Sequence, residues 1–288
     1  MSLLQHLSAQ LYTQPQPMLY ERGFDQYSPP AGTKRVVLSR YIPGARFPKD
    51  YDVVVETYDY NASGQLLDAK RFQNITGELT LQTTYTYSAE GQILQERNFV
   101  AADRSEIIRN YVWEKDANGK STKATISDKT GKPVATVEIL PDGSWVTTET
   151  SVGNGKTIRS TIDAKKRLTK LENGVSGQTE SYTYFPDGTV KELNITSPKG
   201  VALVKYENKL DEKGRVIQQA ETGKSSPRTY YFYYNEKGQM TGKALVPNQP
   251  LESRNYDTMG RLGCILTYDA AGLPKEILNI TYETFAKP

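Results

Sequence analysis

From about residue 34 onward, apolar and polar positions alternate in short runs, and a compact polar cluster ending in glycine interrupts each run. Tyr58/Tyr60, Tyr85/Tyr87, Tyr111/Trp113 and Tyr182/Tyr184 are spaced two apart, which puts both rings of each pair on one face of an extended strand. Leu66, Ile93, Val190, Val216 and Leu262 follow the clusters at a fixed offset. Lys34–Ile42 and Tyr51–Tyr60 read as the first two strands, and Tyr230–Tyr234 is a five-aromatic run that supplies both faces of a later one.

The clusters share a four-residue form, with a short polar residue first and glycine last. Instances are Asn61-Ala-Ser-Gly64, Ser88-Ala-Glu-Gly91, Asp116-Ala-Asn-Gly119, Asp128-Lys-Thr-Gly131, Ser197-Pro-Lys-Gly200, Asp211-Glu-Lys-Gly214, Asn235-Glu-Lys-Gly238, Asp257-Thr-Met-Gly260 and Asp269-Ala-Ala-Gly272. Leu140-Pro-Asp-Gly143 and Phe185-Pro-Asp-Gly188 place proline second, and Asp163-Ala-Lys-Lys166 replaces the glycine. A type I turn favours Asp, Asn or Ser at its first position and accepts Pro at its second. A hairpin built on it needs the next residue left-handed, where glycine meets no side-chain clash. Each cluster is therefore a predicted hairpin tip. Tips at Gly64, Gly91, Gly119, Gly143, Lys166, Gly188, Gly214, Gly238 and Gly260 are 22 to 28 residues apart, and a looser set of reversals falls between them. The spacing leaves strands of about eight residues. The predicted fold is all-β: a long antiparallel meander of roughly 16–18 strands, one end uniform and the other heterogeneous. Accumulated twist should curl so long a sheet into a spiral, a partial shell or a large barrel.

Residues 1–33 differ. Leu3, Leu4, Leu7 and Leu11 form a helical stripe over residues 2–12, and Pro15, Pro17, Pro29 and Pro30 mark an irregular lead-in. The expected organisation is that lead-in followed by one continuous repeat domain over 34–288.

Composition narrows the chemistry. With 36 Lys+Arg against 33 Asp+Glu and no basic block, nucleic acid is not an expected partner. One cysteine excludes an internal disulfide, and one histidine excludes metal or acid–base schemes built on several. Strands of this length are short for a bilayer, and Lys205 and Glu207 share one face of their strand, so membrane insertion is not expected.

The segment Tyr256-Asp257-Thr-Met-Gly260-Arg261-Leu262 resembles the YD repeat of bacterial Rhs-type proteins. Tyr268-Asp269-Ala-Ala-Gly272-Leu273, Tyr60-Asn61-Ala-Ser-Gly64-Gln65-Leu66 and Tyr234-Asn235-Glu-Lys-Gly238-Gln239-Met240 are looser matches, and Leu210-Asp211-Glu-Lys-Gly214-Arg215-Val216 lacks the tyrosine. The resemblance spans roughly residues 50–280 and implies a spiralling antiparallel sheet that, in large family members, encloses a toxin or forms a surface module. This chain is short beside those shells, and no segment matches their self-cleaving terminus, so encapsulation and autoproteolysis are not expected of it.

Single-residue candidates favour structural roles. His6 has no catalytic partner in view, and Cys264 in an apolar strand reads as a small buried hydrophobe. The turn aspartates supply one oxygen each where calcium needs several converging. Asn74-Ile-Thr76, Asn194-Ile-Thr196 and Asn279-Ile-Thr281 match the glycosylation pattern but lie in strand sequence. If an exposed stacking platform exists, Trp113, Trp145, Tyr230, Tyr231, Phe232, Tyr233 and Tyr234 are the residues to form it. No catalytic, metal or cofactor set emerges. The expected function is a non-enzymatic β-repeat scaffold or protein-binding module, exported or surface-associated. A carbohydrate-binding protein and an immunity partner of a secreted toxin are the alternatives.

Overall fold

The structure, a computed structural model, describes residues 29–43, 53–73, 76–142, 144–150, 157–165, 167–223, 227–246 and 249–286. The predicted helical stripe at 2–12, His6, Gly143, Gly155 and Lys166 lie outside them. The described residues form twenty β-strands and no α-helix. They group into two compact units divided after residues 108 and 233.

One unit contains β1 (Thr33–Tyr41), β2 (Val53–Tyr60), β3 (Leu66–Phe72), β4 (Leu79–Tyr87), β5 (Ile93–Val100), β17 (Met240–Val246), β18 (Gln249–Tyr256), β19 (Leu262–Tyr268) and β20 (Pro274–Thr284). Its strands pair antiparallel in the order β17-β18-β19-β20-β1-β2-β3-β4-β5. β1 is flanked on both sides: Val36 faces Tyr58 on β2 and Tyr282 on β20, so the first strand of the meander has no open edge. The other unit runs in chain order through β6 (Ser105–Lys115), β7 (Ser121–Ser127), β8 (Pro133–Ile139), β9 (Trp145–Glu149), β10 (Ile158–Ile162), β11 (Leu168–Asn173), β12 (Gln178–Tyr184), β13 (Val190–Thr196), β14 (Ala202–Leu210), β15 (Val216–Thr222) and β16 (Arg228–Tyr234). Each of these pairs antiparallel with the next. The divisions between units fall within β6 and just inside the end of β16.

The strand number exceeds the expected 16–18. The turn positions imply the larger number once every reversal, tight or loose, is given a strand on either side. The tips themselves are as predicted. In each described tetrapeptide of the standard form the glycine N–H donates to the carbonyl of the first turn residue. That residue's own N–H donates to the carbonyl just past the glycine, at 2.8–3.1 Å throughout. These glycines have φ between 75° and 94°. The extra residue shifts the register beside each tip, as between Asp59 and Tyr60, Thr86 and Tyr87, and Asn255 and Tyr256.

The bulges decide which face is buried. In the first unit Val36, Leu38, Tyr58, Ala69, Tyr85, Ala244, Ile265, Leu278 and Ile280 form the buried layer; in the second Tyr111, Ala124, Ile126, Ala135, Val137 and Leu171 do so. Cross-strand rows such as Val36–Tyr58–Ala69–Thr83 show that alternate strand positions meet on one side. The fold thus follows from reversal chemistry plus a period of two.

The end opposite the uniform tips is mixed. It contains tetrapeptides at 128–131, 197–200 and 269–272, five-residue reversals closed by Gly77 to Gln73 and by Gly177 to Asn173, and the reversal at 101–104. In the last of these Arg104 takes the left-handed conformation, φ 55°, without being glycine. That conformation costs a side-chain-bearing residue about 1–2 kcal/mol, partly offset by the extra unfolded freedom of glycine. Arg104→Gly should therefore raise the thermal midpoint by about a degree or two, roughly 0.5 kcal/mol or more of added stability. Calorimetry of the two proteins checks it; an unchanged or lowered midpoint would count against the assigned backbone.

Candidate functional site

Two arrangements concentrate the polar chemistry: a clamp at the uniform tips and a set of ionised groups on the buried faces. The clamp begins with the first turn residue. The Oδ1 of Asp257 accepts the N–H of Met259 (3.0 Å) and of Arg261 (2.8 Å); Asp116 and Asp211 do the same in their own turns, and so does Asp269 at the opposite end. The second carboxylate oxygen takes the arginine four residues on: Arg261 Nε to Asp257 Oδ2 at 2.6 Å, Arg215 to Asp211 at 2.7 Å, Arg167 to Asp163 at 2.8 Å. Where the turn opens with asparagine, the arginine is replaced by glutamine. Asn61 Nδ2 donates to Gln65 Oε1 at 2.7 Å, and Asn235 Nδ2 to Gln239 Oε1 at 2.8 Å.

Both versions reach the next hairpin. The Arg167 guanidinium lies 4.4 Å from the centre of the Tyr184 ring, and that of Arg261 lies 5.0 Å from the Tyr282 ring. In the neutral version Gln65 Nε2 donates to the Gly91 carbonyl at 3.1 Å and Gln239 Nε2 to that of Gly260 at 2.8 Å. At four steps a tyrosine hydroxyl closes on the residue that begins the preceding strand: Tyr87 to Leu66, Tyr184 to Leu168, Tyr256 to Met240 and Tyr282 to Leu262, at 2.5–2.8 Å. Before the 211–214 turn the tyrosine is replaced by Leu210, and Asn208 Nδ2 reaches the Val190 carbonyl instead at 2.9 Å. Tyr60 departs from the pattern. Its neighbour is β1 rather than the second strand of a tetrapeptide hairpin, and its buried hydroxyl has no hydrogen-bond partner among the described residues. Burial raises the ionisation of the Tyr60, Tyr87 and Tyr282 phenols well above the ordinary tyrosine value, so all three stay protonated.

The buried faces carry charge as well as aliphatic groups. Tyr58 Oη donates to Glu56 Oε2 at 2.9 Å, with Arg71 Nε 3.7 Å from the other oxygen. Thr83 donates to Asn98 Oδ1 at 2.6 Å, and Asn98 donates to Glu96 Oε1 at 2.5 Å. Arg254 pairs with Glu252 and Arg40 with Glu276, each at 2.6 Å. In the other unit Arg109 on β6 reaches Glu149 on β9 at 3.5 Å. Pairing is what makes these buried ions tolerable. Their carboxylates are held by Arg, Tyr or Asn.

The aromatic candidates do not form one platform. Trp113 is half-buried on the strand row of Ala124. Trp145 lies on β9 opposite Ile139 and Ile162. In β16, Tyr230 is opposite Gln219 and Tyr231 opposite Gln218, so alternate rings take opposite faces. Tyr230, Tyr231, Phe232 and Tyr234 are half-buried, and Tyr233 is the exposed member at 44%. Cys264 differs from expectation: it occupies the face opposite Ile265, half-buried between Asn255 and Asn279, because the bulge at Tyr256 sets Ile265 inward. Asn194 and Asn279 lie within paired strands; Asn74 is outside the described residues. Among the described residues no three His, Cys, Asp or Glu side chains converge as a metal set. The i, i+4 pairing of Asp with Arg and Asn with Gln was missed by sequence reasoning, although it is written in the repeats themselves.

No family model matches the chain, and no curated protein matches it. Among solved structures the chain is similar to a porin-like protein from Bacteroides uniformis, with TM-score 0.41 and 10% identity over 88% of this chain and 99% of that one. It is also similar to a porin-like protein from Bacteroides vulgatus, with TM-score 0.32 and 9% identity over 87% and 98%. For TcdB2-TccC3-Cdc42 the TM-score is 0.35 and the identity 12%, over 84% of this chain and 14% of that one. All three are distant likenesses.

Two tests address the clamp. Tyr87→Phe removes a half-buried hydrogen bond and should cost about 1 kcal/mol in urea unfolding, whereas Tyr60→Phe should cost nothing measurable; equal effects would mean that the hydroxyl–carbonyl latch contributes nothing. The second test is pH. The Arg215 side chain holds the Asp211 carboxylate below its ordinary range, and the Arg261 backbone N–H does the same for Asp257. A carboxylate with a depressed folded value adds stability above its unfolded value near 3.9 and loses it as pH falls through the folded value. The thermal midpoint should hold from pH 7 to about 4.5 and drop below about pH 4. An Asp211→Asn/Asp257→Asn variant should show a smaller acid drop, measured as midpoint against pH.

Proposed function

We propose that this chain is a non-enzymatic β-repeat scaffold of the YD-repeat, Rhs-like type, bacterial and exported or surface-associated, that binds a protein partner. Its curled form, in this reading, is the spiral, partial shell or large barrel that the repeat implies. One observation carries the proposal: the two ends of the strands are chemically unlike. At the uniform end the turn carboxylates, arginines and tyrosine hydroxyls are committed to one another and to backbone, so little is left there for recognition. The other end changes from turn to turn and carries exposed aliphatic residues at Val175, Val201, Val246 and Leu273. Varied turns on a rigid repeating frame are the usual place for specificity.

The solvent-facing side of the strands supports a position outside the bilayer. Arg35 holds Asp59 through two bonds at 2.6 and 3.0 Å, Lys70 pairs with Asp68, and Lys205 bridges Glu192 and Glu207. A lipid-facing strand surface needs apolar residues at such positions. A non-enzymatic reading is supported by the buried carboxylates being tied into side-chain pairs. A carbohydrate ligand is the second reading, favoured by Tyr231 and Tyr233 sharing one face with Tyr233 open to solvent.

A photo-reactive side chain placed at Lys199, on the variable end, or at Lys213, on the uniform end, tests the proposal in cells of the source organism. Protein adducts from position 199 and none from 213 are expected. Adducts from 213 alone, or none from either, would falsify it. Adducts lost on periodate treatment but resistant to protease would turn the reading toward carbohydrate.

A further inference from the structure

We infer that the variable end of the 109–233 unit docks an acidic polypeptide segment bearing aliphatic side chains. The inference rests on the protein-binding reading above and names the partner's chemistry. Three glycines at this end lie in close contact with the neighbouring chain segment. A Cβ at Gly174 would lie 2.3 Å from the Thr157 carbonyl oxygen, one at Gly177 2.4 Å from Pro198 Cγ, and one at Gly223 2.4 Å from the Leu203 carbonyl oxygen. Side chains are therefore excluded between these turns, and the turns hold one another in place.

On this fixed support two valines face solvent. Val175 is 49% and Val201 60% exposed. Each is set by a turn side chain rather than left to a free loop: Asn173 Oδ1 accepts the N–H of Val175 at 2.9 Å and of Ser176 at 3.1 Å, and Ser197 Oγ accepts that of Val201 at 3.1 Å. Pro198, between them, is exposed and packed over Gly177. Preorganised aliphatic groups lose little entropy when a partner covers them.

Two exposed lysines stand at the tips of this end. Lys199 at the tip of 197–200 and Lys129 at the tip of 128–131 are exposed and have no ion-pair partner among the described residues. The nearby carboxylates are occupied. Asp128 accepts the Thr130 N–H and hydroxyl and the Lys132 N–H, Glu172 pairs with Lys170 at 2.7 Å, and Glu221 is buried on the inner face. Fixed aliphatic groups in the same pair of reversals as the unpaired Lys199 fit a chain that alternates apolar and acidic residues. A purely polyanionic partner would leave the valines unused.

Fluorescence anisotropy with the full chain tests this. Labelled peptides of alternating Asp–Leu, Asp–Ser and Lys–Leu are the probes, at low and physiological salt. The Asp–Leu peptide should bind, more weakly as salt rises, and the other two should not. Lys199→Glu, and separately Val175→Ser/Val201→Ser, should weaken binding about tenfold. Met259→Ser, at an exposed tip of the other unit, should leave it unchanged, and circular dichroism shows whether each variant is folded. Equal binding of Asp–Leu and Asp–Ser peptides would reduce the site to a polyanion surface and overturn the inference, as would binding untouched by the variants or no binding at all. Cross-linking at position 199 separates the two levels. Protein adducts there with no Asp–Leu binding reject the acidic-aliphatic partner and leave the scaffold reading standing.

Discussion

The structure depends on one local event, the reversal in which a short polar side chain caps its own turn and a left-handed glycine ends it. That event adds one residue to one side of each hairpin, and the added residue sets the register of everything that follows. Without the bulge at Leu67, opposite Tyr60, Leu66 and Ala69, three residues apart and both buried, would lie on opposite faces. A four-residue motif thus controls burial over strands about eight residues long.

The clamp converts a local event into a repeating one. A type I turn specifies a hairpin but says nothing about how the next hairpin sits beside it. Here the residue after the glycine does. As arginine it satisfies its own turn aspartate and lies under the next tyrosine; as glutamine it satisfies its own asparagine and takes the next glycine carbonyl. The two versions are electrostatically different and geometrically alike, so charge can vary along the end without altering the stack. The tyrosine ring supplies buried area while its hydroxyl satisfies a strand-end carbonyl. That double use explains why tyrosine outnumbers phenylalanine 20 to 7 in this chain.

The turns and strand directions were legible in the sequence because they rest on contacts within five residues. The Asp163/Arg167 and Asn61/Gln65 pairs were equally local, but reading each turn residue singly hid them. What was not legible depends on neighbours distant in sequence. Glu56 and Glu96 sit at strand positions that alternation alone cannot separate from solvent-facing ones, because each follows a bulge that shifts the period. The pairing of β1 with β20 joins residues more than two hundred positions apart, and no turn motif records it. Cys264 was misjudged for the same reason: its apolar neighbours suggested burial, and the bulge at Tyr256 placed Ile265 inward in its stead.

A sheet whose own polar groups are consumed at one end has an asymmetric capacity to recognise other molecules. At the uniform end any partner must compete with ion pairs and carbonyl bonds already formed, and it gains only by breaking them. At the other end the backbone is equally well satisfied, but the side chains of successive turns are not asked to complement one another. Val175, Val201 and Lys199 can therefore vary without loss of fold, whereas Gly177 and Gly223 cannot, since a Cβ at either would strike the neighbouring turn. Rigid glycines beneath freely variable tips separate the stability of the frame from the identity of the side chains it displays.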